Sequence, residues 1–253
     1  MKKKGRLIVL EGLTCSGKDL QAELLVRRLK DHGFSVELEV EPTRGPFGAV
    51  VRSFIDGTEI RALASAINFA DTHSAGNPEM WKKVQDILAK IGSNKPVSTY
   101  ELQLLFMADR FWHSLILLAN MELGFTVVCA RYELSTFAYG SSHGATLDEL
   151  LISQDKILGK RYAKPDITVY IRVSPETAVE RLAKSGKVRD IYEKIEDVRK
   201  TSAAYDNVID FGREHGRFGK ITEIDGEQPV EKVYASILAE LVKNFPGEFK
   251  KFR

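Results

Sequence analysis

The sequence has few cysteines, little net charge, and no apolar stretch that we expect to span a membrane. Its two cysteines, Cys15 and Cys129, stand in no metal-type spacing, which argues against a zinc site and favours a reduced, cytoplasmic protein. The 37 basic and 35 acidic residues leave a net charge of +2, so we expect no broad basic face for nucleic acid. The basic start at 1–4 leads directly into a strand pattern, so we expect no signal peptide.

What the sequence does contain is an ordinary globular composition, with 43% hydrophobic and 28% charged residues. Strand patterns alternate with helix patterns along the chain, which predicts an α/β fold: a parallel five-stranded sheet flanked by helices on both faces, in three layers. We expect a single domain over 1–253. Within it, 58–99 is predicted to be a helical insertion, because it has too few apolar residues for a core of its own.

The boundaries of the predicted elements follow from apolar periodicity and from glycine and proline punctuation. The predicted strands are 6–11, 34–40, 125–129, 166–173 and 220–224. The predicted helices are 18–31, 49–55, 62–69, 80–91, 100–123, 134–139, 147–158, a helix that starts at Pro175, 192–211 and 229–245. Loops are predicted at 41–48, 71–78 and 92–96.

A glycine-bounded loop, Gly12 to Asp19, follows the first predicted strand and opens the first predicted helix. This order is typical of a phosphate-binding P-loop, in which backbone N–H groups and the helix N-terminus surround phosphate oxygens and Lys18 reaches the β- and γ-phosphates. The alternative is a turn that caps the helix with Ser16 or Asp19, which leaves the position of Lys18 unexplained. The predicted ATP-binding residues are Gly12, Thr14, Cys15, Ser16, Gly17, Lys18 and Asp19.

Three loops directly follow predicted strands: the P-loop, residues 41–48, and residues 130–132. In a parallel sheet the carboxyl ends of the strands meet at one edge, where ligands bind. We therefore expect these loops to converge on one cleft, although they are far apart in the sequence.

Four segments, taken in order, are similar to those of one kinase family. They are 11–18, Glu41-Pro42 with 46–48, Leu104-Leu105-Phe106-Met107-Ala108-Asp109-Arg110, and Arg131-Tyr132 with 135–136 and 138–139. Residues 164–171 and 175–181 then look like the fourth strand of that family and the helix after it. The chain thus resembles the thymidylate kinase family of P-loop nucleoside monophosphate kinases over most of its length, except at 58–99.

The resemblance implies roles in binding an acceptor nucleotide. Phe106 would stack on a pyrimidine, and Arg110 would hydrogen-bond the base. Arg131 would contact the acceptor phosphate, and Tyr139 would flank the sugar. From the residues alone, a core position on an apolar helix is the favoured interpretation of Phe106, and Tyr132 and Tyr139 are candidates for packing at a strand end. The predicted acceptor-binding residues are Glu41, Pro42, Arg44, Phe106, Arg110, Arg131, Tyr132, Ser135 and Tyr139.

The resemblance also implies a lid at 185–192, which contains Lys187 and Arg189. A cation that closes over the transferring phosphoryl group would stabilise its charge. We therefore predict Lys18, Arg131 and Arg189 as catalytic residues. The alternative is that the segment is only a solvated charged loop.

The sequence departs from the family pattern at Thr14, Asp19, Val40 and Ala130. Thr14 and Val40 replace an aspartate and an arginine that bind the acceptor, and Arg44 is our candidate to substitute for that arginine. Ala130 replaces a carboxylate near Mg²⁺, whereas Asp19 replaces a hydroxyl near the same ion. Because Mg²⁺ accepts either kind of oxygen, we predict Asp19 as the metal ligand that compensates for Ala130. The opposing hypothesis is that Asp19 repels the triphosphate.

The resemblance implies an Mg²⁺-dependent enzyme that transfers the γ-phosphoryl group of ATP directly to a nucleoside monophosphate, with dTMP as the preferred acceptor. It also suggests a homodimer, and we expect no nucleic-acid or membrane partner. One alternative is a kinase of another or modified pyrimidine monophosphate. A second is a regulatory or scaffold relative that has lost catalysis, which Val40 and Ala130 favour. A third is an NTPase that hydrolyses ATP to drive a motion, but we recognise no second ATPase domain in the sequence.

Overall fold

The computed structural model describes residues 4–73, 77–185 and 194–252 of the chain. Its strands are β1 (Leu7–Glu11), β2 (Val36–Val40), β3 (Thr126–Ala130), β4 (Ile167–Arg172) and β5 (Lys220–Asp225). Its helices are α1 (Lys18–Asp31), α2 (Pro46–Ile55), α3 (Leu63–His73), α4 (Pro78–Gly92), α5 (Thr99–Glu122), α6 (Glu133–Ser142), α7 (Leu147–Leu158), α8 (Pro175–Ser185), α9 (Ile195–Glu214), α10 (Val230–Asn244) and α11 (Pro246–Phe249). Short 3-10 turns lie at Gly159–Arg161 and Lys250–Phe252.

The strands form one parallel sheet in the order β2-β3-β1-β4-β5. Strands β1 and β3 are buried along their whole length, because a central strand of a parallel sheet is covered on both faces. Helices α1 and α10 pack on one face, and α5 and α9 pack on the other. This confirms the predicted three-layer α/β fold and the number of strands.

Helices α3 and α4 lie within the predicted insertion and pack against the main core. Trp81 is 1% exposed, and its ring centre lies 5.0 Å from that of Phe111 in α5 and 6.0 Å from that of Phe47 in α2. Helix α4 starts after Asn77, whose side chain accepts a hydrogen bond from the Met80 N–H at 3.2 Å. The apolar side of the insertion is therefore buried against α2 and α5.

Predicted and observed boundaries differ most at helix ends. Helix α2 begins at Pro46 rather than at Ala49, because proline suits the first turn of a helix. Helix α3 continues through 71–73, which we predicted as loop, and Ala130 belongs to β3. Helix α11 was not predicted, because its four residues are too few to show a periodic pattern.

By length and composition, helix α5 could cross a membrane, which corrects the expectation that no stretch could. In the fold, however, 67% of the apolar window in α5 is buried inside the protein. Its N-terminus is fixed by a capping box, in which the Ser98 side chain and the Glu101 side chain each bond the backbone of the other residue. Helix α5 therefore serves here as the central core helix.

Candidate active site

The P-loop between β1 and α1 has the backbone shape that its two glycines predict. Gly17 has φ 94°, a conformation that residues with a Cβ rarely adopt. Gly12 has φ 153°, and a Cβ there would lie 2.6 Å from Ser16 Oγ and 2.7 Å from the Ile171 carbonyl oxygen. The glycines thus let the loop turn tightly beside the ends of β1 and β4.

The N-terminus of α1 is open to a ligand. Gly17 is the N-cap, and no side chain within the described residues caps this helix. Ser16 is buried, and its Oγ has no hydrogen-bond partner among those residues. This argues against Ser16 as the capping residue, and it leaves N–H groups and the positive end of the helix dipole for an anion.

Lys18 is buried in the loop, and its charge is affected by Arg131. Its Nζ donates a hydrogen bond to the Leu13 carbonyl oxygen at 3.1 Å. Burial and, to a smaller extent, the Arg131 cation lower the Lys18 pKa, while the carboxylates of Asp19 and Glu11 partly offset them, so that the pKa is about 7. Because the Lys18 and Arg131 cations repel each other here, an anion bound between them would be strongly favoured.

The start of α6 is organised by a carboxylate from β1. Glu11 accepts hydrogen bonds from the Tyr132 N–H at 2.8 Å, the Ser135 N–H at 3.1 Å and the Ser135 Oγ at 2.6 Å. A carboxylate at a helix N-terminus also interacts favourably with the helix dipole. Arg131 precedes this helix with φ 63°, and its N–H bonds the Leu10 carbonyl oxygen at 2.9 Å. Glu11 therefore fixes the turn that presents Arg131.

Beside Arg131 lies a cavity of about 110 Å³ between α5, α6 and the loop after β2. Every residue that we predicted to bind the acceptor, except Arg44, lines this cavity. Phe106 is partly buried and lines this cavity while it also packs on the core. The lining residues are Glu41, Pro42, Ile55, Gln103, Phe106, Arg110, Arg131, Tyr132, Ser135, Thr136 and Tyr139.

Arg110 is fully buried and held in one orientation. Glu41 Oε2 accepts from its Nε at 3.0 Å and from one Nη at 2.5 Å. Thr136 Oγ1 accepts at 2.9 Å, and Gln154 Oε1 accepts from the other Nη at 2.8 Å. Of the five N–H groups of a guanidinium, these contacts within the described part of the chain leave one for a ligand at the cavity.

The loop after β2 is anchored to α5 by two buried acids. Asp109 accepts hydrogen bonds from the Thr43 N–H at 2.7 Å and from Thr43 Oγ1 at 2.6 Å. Glu41, besides bonding Arg110, lies 3.0 Å from His113 Nδ1. Burial and the nearby Glu41 carboxylate raise the Asp109 pKa, the hydrogen bonds from Thr43 partly offset them, and the pKa is about 6. These contacts hold the Glu41–Pro42 wall of the cavity in place.

Two arginines approach the cavity from the loop and from α2. Arg44 lines a neighbouring cleft, with Val40, and not the cavity itself. Arg52, which the sequence analysis did not select, donates to the Pro42 carbonyl oxygen and, at 3.3 Å, to that of Thr43. Burial lowers the Arg52 pKa, the Asp109 and Asp56 carboxylates partly offset it, and the Arg44 and Arg131 cations lower it further, so both cations act on Arg52.

Asp19 is exposed at the start of α1 and lines the same neighbouring cleft, of about 960 Å³, as Ala130. Within residues 4–73, 77–185 and 194–252, no group of three or more His, Cys, Asp or Glu side chains could hold a metal ion. The Asp19 carboxylate is a hard oxygen donor, which fits Mg²⁺ as one ligand among phosphate and water oxygens.

The predicted lid at 185–192 falls almost entirely outside the described residues. Lys187 and Arg189 both lie there, so their roles stay predictions. Helix α8 before the segment ends at Ser185, and α9 after it begins at Ile195.

Comparison with known proteins agrees with this geometry. A family model described as thymidylate kinase matches residues 71–237, more than half of the chain. The chain belongs to the thymidylate kinase family. This confirms the resemblance drawn from the four segments, and it supports a nucleotide-binding phosphotransferase of the nucleoside monophosphate kinase type.

Curated thymidylate kinases match nearly the whole chain at low identity. A probable thymidylate kinase of Pyrococcus abyssi is 26% identical over 95% of this chain and 97% of its own length. The thymidylate kinase of Plasmodium falciparum is 28% identical over 98% and 96%, and that of Desulfotalea psychrophila is 25% identical over 94% of each. The chain is thus a divergent member of the thymidylate kinase family.

The structure adds residues that the sequence analysis missed. Glu11 and Arg52 gave no sequence signal, because each acts through contacts with a distant segment. Gln103 could have been found, since it precedes Phe106 by three positions and Arg110 by seven, which places all three on one helix face.

Proposed function

We propose that the protein is a kinase that transfers the γ-phosphoryl group of ATP to dTMP by direct in-line displacement. The observation that carries this proposal is that Arg131, which lines the acceptor cavity, lies near enough to the buried Lys18 of the P-loop for its charge to act on Lys18. Arg131 thus joins the open N-terminus of α1 to a cavity whose aromatic ring and guanidinium suit a nucleobase. The relatives that bear the name thymidylate kinase support dTMP as the acceptor.

The order of the strands indicates on which side of the P-loop the donor and the acceptor nucleotide each bind. The P-loop follows β1 at the centre of the sheet, and the acceptor cavity lies on the β3 side. The nucleoside of the donor then extends toward β4 and β5. A cleft of about 430 Å³ lies there, lined by Arg172, Ser174 and Glu227 among others.

The residues of this chain contribute positioning and charge rather than covalent chemistry. Lys18 and the N–H groups of the P-loop hold the donor phosphates, and Arg131 holds the acceptor phosphate in line with them. Arg52 takes the role of the arginine that the family has at the position of Val40, because the Arg52 guanidinium contacts the loop that forms the cavity wall. Arg44, further away, guides the anion. Arg189 and Lys187 close over the transferring group.

Mg²⁺ would neutralise charge on the donor phosphates when bound. Asp19, in the first turn of α1, would hold it. Ala130, which lines the same cleft from the end of β3, has no carboxylate to offer. Thr14, in the same loop, hydrogen-bonds the sugar of the acceptor. Two unit charges about 4 Å apart interact by roughly 4 kcal/mol at an effective dielectric of about 20, so Asp19 without a cation would weaken triphosphate binding.

The remaining predictions concern the whole protein. We propose one domain over 1–253 with 58–99 as an insertion, a lid at 185–192, a cytoplasmic location and a homodimer. The two cysteines are free, which supports a reduced compartment. Helix α5 buries most of its apolar side chains internally, so it offers less surface to a partner than its composition suggested. Light scattering of the purified protein measures the oligomeric state.

The function is tested by phosphoryl transfer with ATP and Mg²⁺ against a panel of nucleoside monophosphates, with detection of ADP and of each diphosphate. We expect dTMP to be turned over well above the purines, and Lys18→Met to abolish turnover. Turnover of another pyrimidine monophosphate instead would correct the acceptor. Binding of nucleotides without turnover of any monophosphate would favour a regulatory relative, which the losses at Val40 and Ala130 make the second candidate.

A further inference from the structure

The Gln103 side chain, in the acceptor cavity, has no hydrogen-bond partner among the described residues. Gln103 is 1% exposed and lines the cavity, and neither its Oε1 nor its Nε2 forms a hydrogen bond within the described residues. A buried amide without hydrogen-bond partners destabilises a protein, so it is seldom retained without a use. By contrast, Gln154 on the far side of Arg110 uses both its Oε1 and its Nε2.

The surrounding chain makes room for this side chain. A Cβ at Gly140, in α6, would lie 3.0 Å from the Gln103 Cγ and 2.7 Å from a Leu150 methyl carbon. Any larger residue at 140 would therefore push against Gln103. Gln103, Phe106 and Arg110 lie on one face of α5, so the amide, the aromatic ring and the guanidinium all line the same space.

We propose that Gln103 is a specificity residue that pairs with the imide edge of the acceptor base. Its Oε1 accepts from a ring N–H, and its Nε2 donates to the adjacent carbonyl oxygen. This inference rests on the proposed function and names the base class that the cavity selects: a 2,4-dioxopyrimidine.

The neighbouring Arg110 determines which base is selected, a dioxopyrimidine or cytosine. A glutamine amide can rotate, so alone it would pair equally with a cytosine edge. Arg110 has only donors, and its orientation is set by Glu41. An exocyclic carbonyl satisfies it, whereas an exocyclic amino group meets it donor to donor. A base with a carbonyl, an N–H and a second carbonyl in a row satisfies Arg110 and Gln103 together.

The test uses the full chain and a volume-matched variant, Gln103→Met, which keeps the side-chain length but removes both polar atoms. Calorimetry gives the affinity for dTMP, and a ¹H–¹⁵N spectrum of dTMP labelled at N3 shows whether the imide proton is held in a hydrogen bond. We expect the parent to show a protected imide proton. In Gln103→Met that signal is lost, and dTMP binds about 10- to 100-fold more weakly.

Gln21→Met is the matched control, because Gln21 is a buried glutamine on α1 that lines no part of the cavity. It should keep the dTMP affinity and the imide signal. The melting temperature of ligand-free Gln103→Met should equal or exceed that of the parent, since an unpartnered amide is removed.

The outcomes separate this inference from the proposed function. If the parent binds dTMP but Gln103→Met shows the same imide signal and affinity, Gln103 does not read the base, whereas the function stands. A large fall in melting temperature with unchanged dTMP affinity would make Gln103 structural and would also overturn the inference. If the parent does not bind dTMP, the proposed function itself is wrong.

Discussion

At the scale of single residues, substitution of Asp19 is the most direct test of the proposed Mg²⁺ site. We expect Asp19→Ala to lose activity, because the first turn of α1 then offers no carboxylate to hold Mg²⁺. The double variant Asp19→Thr with Ala130→Asp should retain activity, since it moves the carboxylate to the end of β3. The measurement is the rate of phosphoryl transfer as a function of Mg²⁺ concentration.

The same variants separate the two hypotheses for Asp19. Glu23→Ala is a suitable control, because Glu23 also lines the cleft but lies one turn further along α1. If Asp19→Ala binds ATP with Mg²⁺ more tightly than the parent and is equally active, the aspartate is a repulsive charge and the metal assignment is wrong.

His113 gives a prediction about pH. Burial alone lowers its pKa, but the Glu39 and Glu41 carboxylates outweigh burial and raise the pKa to about 9. The folded state therefore holds a proton that the unfolded state releases near pH 6.5. The stabilisation is complete below about pH 6.5 and disappears as the pH rises through about 9.

We therefore expect the difference in unfolding free energy between the parent and His113→Gln to shrink by roughly 2–3 kcal/mol from pH 6 to pH 10. Urea titrations at several pH values measure it, and the difference cancels contributions from other groups. A difference that stays constant with pH would mean that His113 is neutral in the folded protein.

At the scale of elements, Glu11 links three of them: β1, the end of β3 and the start of α6. We expect Glu11→Gln to destabilise the protein by about 2–3 kcal/mol, because the negative charge at the helix N-terminus is lost and an amide NH₂ replaces the oxygen that accepts from the Ser135 and Tyr205 hydroxyls. Turnover should also fall, since the turn that presents Arg131 loosens.

Thermal unfolding and kcat for the two nucleotides together check the Glu11 prediction. Glu37→Gln, on the exposed side of β2, is the control and should behave as the parent. A destabilised Glu11→Gln protein with unchanged kcat would show that Glu11 supports the fold without positioning Arg131.

At the scale of the whole molecule, the insertion shares the core of the kinase fold through Trp81. We expect Trp81→Ala to cost about 3–5 kcal/mol and to lower the single unfolding transition of the entire chain. Trp81→Phe should recover most of that loss. Circular dichroism and fluorescence melts should coincide; a separate, earlier transition in one of them would mean that 58–99 is an independent unit.

The sheet, the P-loop and the cavity differ in how far the sequence predicted them. Apolar runs predicted the central strands β1 and β3, because a strand that is buried on both faces needs apolar residues at every position. Alternation of apolar and polar residues predicted β2, which is exposed along much of its length. Residue types and spacing predicted the P-loop with Lys18, because a glycine-bounded loop between a strand and a helix is a local feature. Phe106, Arg110 and Arg131 were predicted from the family resemblance. The cavity contains the predicted acceptor residues, and Arg44 lies outside it.

The sequence by itself determined the parallel α/β fold and the order of the segments that build the site, because periodicity and loop chemistry are properties of short stretches. Only the tertiary structure decided which side chains face one another across those segments. Glu11 contacts α6, Arg52 contacts the loop after β2, and the Gln103 amide has no hydrogen-bond partner in the described part of the chain. Such pairings depend on residues that are brought together from distant parts of the chain, and no local pattern records them.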